Sequence, residues 1–236
     1  MGRVRRGWLK IYATLFESKL SAFSIVLLSL VFLAGCFVSP VRIIPAREVE
    51  SIQAESSFFY HGEAGQGRSR LLMYLQTPDR LRLEIFNPFG GLEYILWLNG
   101  EQASLYLPGK KVFWEGSSLK LTTEFLGGPI TTNELAWLFS GRIEQLSQSP
   151  GWKSAGQRPS NFYVGEKDGW KLSIKEFFKG GEIPRTIYFE KPGQVVRLRL
   201  LKIKFNPRFS TEVFLPSYAQ SAEKLSWEEI SELWKK

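Results

Sequence analysis

The chain has 236 residues, of which 44% are hydrophobic, 14% aromatic and 23% charged, and this composition excludes a disordered protein. The 18 Phe, 8 Trp and 8 Tyr favour a β-rich fold, because aromatic residues suit pleated, half-buried surfaces. The formal net charge is +8, but residues 1–35 carry half of it, and the remaining +4 gives little support to nucleic-acid binding.

Residues 1–36 have the organisation of a secretory signal that ends at a cysteine. Residues 1–20 are basic, and residues 21–35 form an uncharged apolar stretch that ends in small residues. That stretch is shorter than the ~20 apolar residues that a spanning helix usually needs. Its end, Leu33-Ala34-Gly35-Cys36, resembles the bacterial lipobox, in which the cysteine becomes the lipidated first residue of the mature protein. We therefore predict a signal peptide over 1–35 and lipidation at Cys36.

The alternative for this segment is an uncleaved membrane anchor in which Cys36 is incidental. Cys36 is the single cysteine of the chain, so no disulfide within the chain is expected. In the sorting rule of enteric bacteria, Asp after the lipidated cysteine favours the inner membrane, and Phe37 therefore favours the outer membrane. Residues 36–56 are predicted to form a lipidated tether followed by a short helix over 47–54, where Val49 and Ile52 share a face.

Residues 57–216 are predicted to form one domain that begins as a meander of strands. Apolar and polar residues alternate with a period of two between closely spaced turns such as Asn99-Gly100 and Pro108-Gly109. This pattern favours a continuous antiparallel sheet. The predicted strands are 57–64, 70–76, two within 79–98, 102–107, 110–114, 161–166, 170–178, 184–190, 194–205 and 213–215.

The pair of strands within 79–98 encloses the link Asn87-Pro88-Phe89-Gly90-Gly91. Pro88 lacks an N–H and interrupts the ladder, and the glycines allow a sharp return of the chain. Phe89 lies where a loop tip is usually polar. The residues alone leave two interpretations, a ring that folds back onto the domain and a ring that contacts an external apolar surface.

The predicted helices lie in the middle of the domain and at the end of the chain. Residues 119–125 form the first, and a capping box at Thr131 and Glu134 begins the second, which ends at Gly141. Residues 145–160 are predicted to be loop. The C-terminal tail, 217–236, contains a short helix that begins at a second capping box. In the strand 194–205 the apolar face switches beyond Leu201, which predicts a bulge there.

Groups with catalytic potential are scarce in this sequence. His61 is the one histidine, so the usual triads are excluded unless His61 serves. No phosphate-binding, dinucleotide-binding or calcium-loop motif is present, and we predict neither a metal nor a cofactor. The sequence therefore favours a protein that is not an enzyme.

The strands carry more apolar surface than one covered face requires, since Ile95 and Trp97 add to Tyr94, Leu96 and Leu98. Either the sheet curls around the helices, or it encloses a cavity, which would take an acyl chain. The alternative to a cavity is a solid, well-packed core. The candidate cavity-lining residues are Leu83, Ile85, Tyr94, Leu96, Leu98, Leu172, Ile174, Val196 and Leu198.

Three segments carry a family resemblance: 81–90, the turn Leu126-Gly127-Gly128-Pro129-Ile130, and the helix 133–141. Together with the lipidated N-terminus, their order resembles the outer-membrane lipoprotein receptor LolB family, best over 57–142. That family has Asn-Pro-Leu-Gly at the loop, and its Leu projects into solvent and is needed to deliver lipoproteins to the membrane. Phe89 occupies this position here, which changes the residue but keeps its apolar character.

The resemblance implies a mainly β fold with some α, in which a curved antiparallel sheet forms a half-open barrel and short helices form a lid over a hydrophobic cavity. It implies that Pro88, Phe89 and Gly90 form a membrane-insertion loop. It also implies a monomeric, lipid-anchored receptor on the periplasmic face of the outer membrane. Such a receptor takes the acyl chains of lipoproteins from a soluble periplasmic carrier.

Two alternatives use the same fold: an envelope scaffolding lipoprotein and a carrier of another lipid. The resemblance does not extend to residues 217–236.

Overall fold

All of the predicted strands except 213–215 belong to one open, curved sheet in the computed structural model, which describes residue 43 and residues 48–62, 65–153, 162–217 and 221–234. The predicted signal peptide, the lipidation site Cys36 and most of the tether lie outside the described residues. The expected fold class, a curved, largely antiparallel sheet with short helices, is confirmed.

The sheet has eleven strands among the described residues, and every neighbouring pair is antiparallel except β11 with β6. In space the order is β11-β6-β5-β4-β3-β2-β1-β10-β9-β8-β7. The strands are β1 (Ser51–Gly62), β2 (Gly65–Gln76), β3 (Arg80–Phe86), β4 (Leu92–Asn99), β5 (Gln102–Leu107), β6 (Val112–Ser117), β7 (Phe162–Lys167), β8 (Trp170–Phe177), β9 (Pro184–Lys191), β10 (Gln194–Phe205) and β11 (Glu223–Lys224).

The concave face of the sheet is covered by three helices that follow β6. They are α1 (Ser118–Phe125), α2 (Thr132–Phe139) and α3 (Ile143–Gln148). Their apolar residues and those of the inner face form one continuous core, because the alternation along each strand directs one set of side chains inward. The predicted capping box of α2 is confirmed, with Thr131 and Glu134 bonded to each other's backbone N–H groups. Helix α3 lies partly within the predicted loop 145–160, and this prediction was wrong for its first residues.

The predicted bulge in β10 is confirmed. Glu55 pairs with Lys202 and Ser56 pairs with Leu200, so Leu201 has no partner on β1. Leu200 is buried, whereas the side chain of Leu201 is 48% exposed. This extra residue shifts the alternation of side chains by one position, so the apolar side chains beyond it again face the core.

Two further local predictions were wrong. The helix predicted over 47–54 was wrong: residues 48–50 are not helical, and β1 begins at Ser51, so Ile52 pairs with Leu75 on one side and with Phe205 on the other. The strand predicted over 213–215 is replaced by a 3-10 helix at Thr211–Phe214, and Phe214 is buried. In both cases a pattern of a few apolar residues suited two periods, and tertiary contacts decided between them.

Residues 206–217, here called the strap, cross the outer face of the sheet. The Phe209 ring meets Tyr74 of β2 edge-on at 5.8 Å, and the carbonyl oxygen of Val213 accepts a hydrogen bond from Arg82 of β3 at 3.0 Å. Arg82 in turn stacks on Trp97. The strap therefore helps to cover the apolar outer face that the sequence left unexplained.

The described residues of the C-terminal tail pack at the β6 end of the sheet. After β11 the chain forms α4 (Trp227–Trp234), which begins at the predicted capping box of Ser226 and Glu229. Ile230 of α4 is fully buried in the main core, and Trp227 meets Trp114 of β6 at 4.7 Å. The C-terminal segment is thus part of the folded domain.

Candidate functional site

The loop between β3 and β4 holds Phe89 in solvent. Asn87 Oδ1 accepts hydrogen bonds from the N–H of Phe89 at 3.0 Å and from the N–H of Gly91 at 2.8 Å. Gly90 has a φ of +87°, which L side chains rarely adopt, and its N–H donates to the Asn87 carbonyl at 2.9 Å. The side chain of Phe89 is 98% exposed as a result.

An exposed Phe on a fixed turn is suited to contact an apolar surface. Leu92, three residues further on, is also exposed, so the two side chains extend the apolar tip. Burying a Phe side chain releases about 1.5–3 kcal/mol. A contact of this size is too weak to hold a domain on a surface by itself.

The candidate cavity-lining residues all belong to the inner face of the sheet. Eight of the nine are buried in the main core. Tyr94 is half-buried and meets the ring of Phe125 in α1 edge-on at 6.0 Å. The eight are Leu83, Ile85, Leu96, Leu98, Leu172, Ile174, Val196 and Leu198.

The space between the sheet and the helices is almost filled. A cavity of about 10 Å³ remains there, which holds about one water molecule. Leu83 and Leu198 line it, and Ser56 Oγ is buried beside it with no hydrogen-bond partner among the described residues. The other lining residues are Leu71, Met73, Leu126, Leu135, Phe139 and Leu200.

Sequence reasoning missed the helix residues that close this cavity. Leu135 and Phe139 are four residues apart on α2, and that spacing was a signal for a face turned toward the sheet. A second space of about 10 Å³ lies beneath the turn at 128–130 and touches Leu172. Ile85, Leu96, Ile174 and Val196 pack in the core without lining either space.

A larger groove opens at the end of the sheet away from Phe89. It has a volume of about 560 Å³, and its apolar floor includes Leu98, Leu119 and Ile130. The groove lies at the hairpin turns that contain Asp79 and Gly100. Because β3 has seven residues, this end is about 23 Å from the Phe89 loop. The domain therefore has an apolar tip at one end and an open groove at the other.

Glu134 anchors the helical cover to the sheet. Its Oε1 accepts hydrogen bonds from Ser149 at 2.6 Å, from Trp152 Nε1 at 2.9 Å and from Lys167 Nζ at 2.9 Å. Burial by itself raises the pKa of Glu134, but bonds from Ser149, the Thr131 N–H, Lys167 and Trp152 outweigh it and hold that pKa below its usual value. This carboxylate joins α2, the end of α3 and β7.

No group of three or more His, Cys, Asp or Glu suited to a metal occurs within the described part of the chain. Among those same residues, no helix is both long enough and apolar enough to cross a membrane. His61 is exposed near the end of β1.

Comparison with known proteins gives one family match. The family model described as outer membrane lipoprotein LolB matches residues 52–204. No curated protein matches the chain.

Solved structures with a similar course of the chain share little sequence with it. A LolA superfamily protein from Nitrosomonas europaea is 12% identical with a TM-score of 0.44, and the match covers 72% of this chain and 91% of that one. A DUF1329 family protein from Desulfovibrio piger is 9% identical with a TM-score of 0.45, over 74% of this chain and 93% of that one.

Proposed function

The chain belongs to the family of the outer membrane lipoprotein LolB, and from this premise we propose that it is a lipid-anchored receptor at the periplasmic face of the outer membrane. It accepts acylated lipoproteins from a soluble carrier and inserts them into that membrane. The observation that carries the proposal is Phe89, which is held 98% exposed at one end of an apolar, helix-covered sheet. The chemistry is transfer between hydrophobic sites and needs no catalytic group.

The energetics require direct transfer from one site to the next. Each buried CH₂ contributes about 0.8 kcal/mol, so a long acyl chain carries on the order of 10 kcal/mol of hydrophobic free energy. A free acyl chain in water is therefore too unfavourable to be an intermediate of the transfer. Transfer proceeds without a nucleotide when this protein binds the chain better than the carrier does, and the bilayer binds it better still.

The filled interior means that acyl binding displaces part of the helical cover. A residual space of about 10 Å³ holds one water molecule and no acyl chain. Glu134 ties α2 and α3 to β7, so the other side of the cover, at α1, is the part that yields. The 560 Å³ groove lies on that side, and Leu98 and Ile130 connect its floor to the core.

The acylated Cys36 supplies the anchor that Phe89 cannot. Residues 37–50 separate this cysteine from β1, and 14 extended residues span at most about 50 Å. The sheet from the start of β1 to the level of Phe89 measures about 26 Å. The tether is therefore long enough for the Phe89 end to reach the bilayer in which Cys36 is held.

Depletion of the protein followed by membrane fractionation tests this function. We expect other outer-membrane lipoproteins to accumulate in the inner membrane or on their carrier. An unchanged distribution of lipoproteins in depleted cells contradicts the proposal. The wild-type gene restored on a plasmid is the control for the depletion itself.

A second candidate, an envelope scaffolding lipoprotein, is favoured by one observation, the nearly filled interior. Mass spectrometry of lipids bound to the purified full chain separates the two candidates. Bound acyl chains, or uptake of a fluorescent fatty acid, support transport. A core that takes up neither supports a scaffold.

A further inference from the structure

An aromatic ring on the outer face of the sheet lies between two arginines. Phe59 of β1 pairs directly with Arg68 of β2 on one side and with Arg197 of β10 on the other. Direct partners in antiparallel strands project to the same face. This face is the outer one, because the neighbours of Phe59 in β1, Phe58 and Tyr60, pack against the core.

Both arginines stack on the ring. The Cζ atom of Arg68 is 5.9 Å from the centroid of Phe59, and that of Arg197 is 5.2 Å from it. Stacking uses the flat face of a guanidinium and leaves the N–H groups at its edge available. The ring therefore holds two sets of hydrogen-bond donors side by side.

Arg68 and Arg197 differ in their ion pairing from the arginines two residues further along the same strands. Arg70 pairs with Glu55 at 3.0 Å, and Arg199 pairs with Glu176 at 3.8 Å. Within the described ranges, no carboxylate lies within 4.0 Å of Arg68 or Arg197. Their charges are therefore not neutralised by a carboxylate of those ranges, and their N–H groups can bind an external anion.

Arg68 and Arg197 lie at the same end of the sheet as the Phe89 loop. Arg70 pairs with Phe86, the last residue of β3. Arg68 is two residues further along β2, and Phe89 is three residues beyond Phe86, so the two reach a similar level along the strand direction. A bilayer that receives Phe89 thus brings its headgroups toward Arg68 and Arg197.

We propose that Arg68 and Arg197, held on Phe59, bind the phosphate groups of anionic phospholipids when the Phe89 loop enters the bilayer. The inference rests on the proposed function and adds the class of lipid headgroup that the membrane-facing end of the domain binds. A guanidinium forks onto phosphate through two parallel N–H bonds. Each basic residue near an anionic bilayer strengthens binding about fivefold, so the pair contributes about 25-fold.

The test uses the full chain, held on vesicles by its own N-terminal anchor. Energy transfer from the native tryptophans to a dansyl-labelled lipid reports how closely the folded domain approaches the bilayer. The vesicles contain phosphatidylethanolamine alone or with phosphatidylglycerol. For the wild type we expect greater transfer on the anionic vesicles.

The double variant Arg68→Gln/Arg197→Gln is expected to lose that gain. The matched control is Arg80→Gln/Arg208→Gln, which removes the same charge from exposed residues at the opposite end of the sheet and is expected to keep it. A gain that survives in the first variant, or is lost equally in both, overturns the proposal. So does a wild type that shows no gain at all.

A folding defect is separated from a binding defect by thermal unfolding and by the single variant Arg68→Gln. The Arg68 side chain is exposed, so this variant should unfold at the wild-type temperature and lose about fivefold in the equilibrium constant for contact between the domain and the anionic bilayer. Phe89→Glu distinguishes this inference from the proposed function. Normal lipoprotein insertion by Phe89→Glu contradicts the function, whereas an anionic gain that persists without both arginines contradicts the headgroup site alone.

Discussion

The N–H of Phe89 donates to the side-chain oxygen of Asn87, two residues before it, at 3.0 Å. This bond and the second bond to the Gly91 N–H close the turn from within. The loop therefore needs no contact with the rest of the domain to keep its shape. Phe89 is displayed by the turn and takes no part in the packing of the core.

Phe89→Glu should leave folding intact and abolish lipoprotein insertion into vesicles. The ring is exposed, so its removal costs no core packing, whereas a carboxylate cannot enter the apolar part of a bilayer. Circular dichroism melts and an insertion assay with lipoprotein-loaded carrier measure both outcomes. Phe89→Leu is the matched control and should insert at close to the wild-type rate. Insertion by the Glu variant at that same rate removes the loop from the mechanism.

Asn87→Ala should slow insertion although Phe89 is still present. The substitution removes the acceptor of two backbone N–H groups, so the loop samples other conformations and orients the ring less often. Each lost bond costs roughly 0.5–1.5 kcal/mol at most, and less in water. Asn87→Asp keeps the acceptor oxygen and should retain more activity than the Ala variant. Equal rates for the two variants argue against preorganisation.

Glu134→Gln should destabilise the domain by about 3 kcal/mol at neutral pH. Lys167 is nearly buried and bonds to Glu134 at 2.9 Å, and the substitution leaves its charge without a counterion. Urea unfolding monitored by tryptophan fluorescence measures the loss. Glu144→Gln, at an exposed position of α3, is the control and should change stability little.

The same carboxylate predicts how stability depends on pH. Its pKa in the folded protein lies below the unfolded value, so its contribution is complete above the unfolded pKa of about 4.5 and is lost as pH falls through the folded value. The Glu134→Gln variant should therefore show a smaller loss of stability than the wild type between neutral pH and pH 3. Parallel curves for the two proteins contradict this assignment.

Local signals in the sequence were enough for the parts of the fold that local residues determine. The capping box at Thr131 and the bulge at Leu201 both follow from residues that are neighbours in the chain. The other partners of Glu134 could not be predicted this way. Trp152 and Lys167 are 18 and 33 residues from it, and only the assembled fold brings them together.

The strap illustrates the same limit. Ile95 and Trp97 were recognised as apolar residues without an inner-face role, but no residue near them in the sequence indicates which segment packs over them. Phe209 reaches Tyr74 across more than a hundred residues of chain. A single sequence gives the periodicity of each element and leaves such pairings open.

Ile230→Ala should cost about 2–4 kcal/mol of stability, because Ile230 is fully buried and truncation leaves a cavity. This result makes the C-terminal helix part of the core even though it follows the region that matches the family, 52–204. Urea unfolding measures the difference. Glu232→Ala, at an exposed position on the same helix, should cost little. A negligible effect of Ile230→Ala means that α4 is detached from the domain in solution.

Gly127→Ala should destabilise the domain more than Gly193→Ala does. Both glycines have a φ of +78°, so the backbone penalty of about 1–2 kcal/mol is common to the two substitutions. A Cβ at Gly127 would lie 2.8 Å from Val196 Cγ2, whereas a Cβ at Gly193 would meet nothing within 4 Å. Overpacking at the first site adds about 1–3 kcal/mol.

The difference between these two variants measures how tightly the turn at 126–130 is packed against β8 and β10. A tight turn is expected, because Gly127 also approaches Trp170 of β8. Thermal unfolding of both variants gives the comparison, and uptake of a fluorescent fatty acid gives a second one. Because the added methyl group separates the turn from the sheet, Gly127→Ala should take up the fatty acid faster than Gly193→Ala. Equal stability and equal uptake would show that the turn already moves freely, and that the helical cover opens without resistance there.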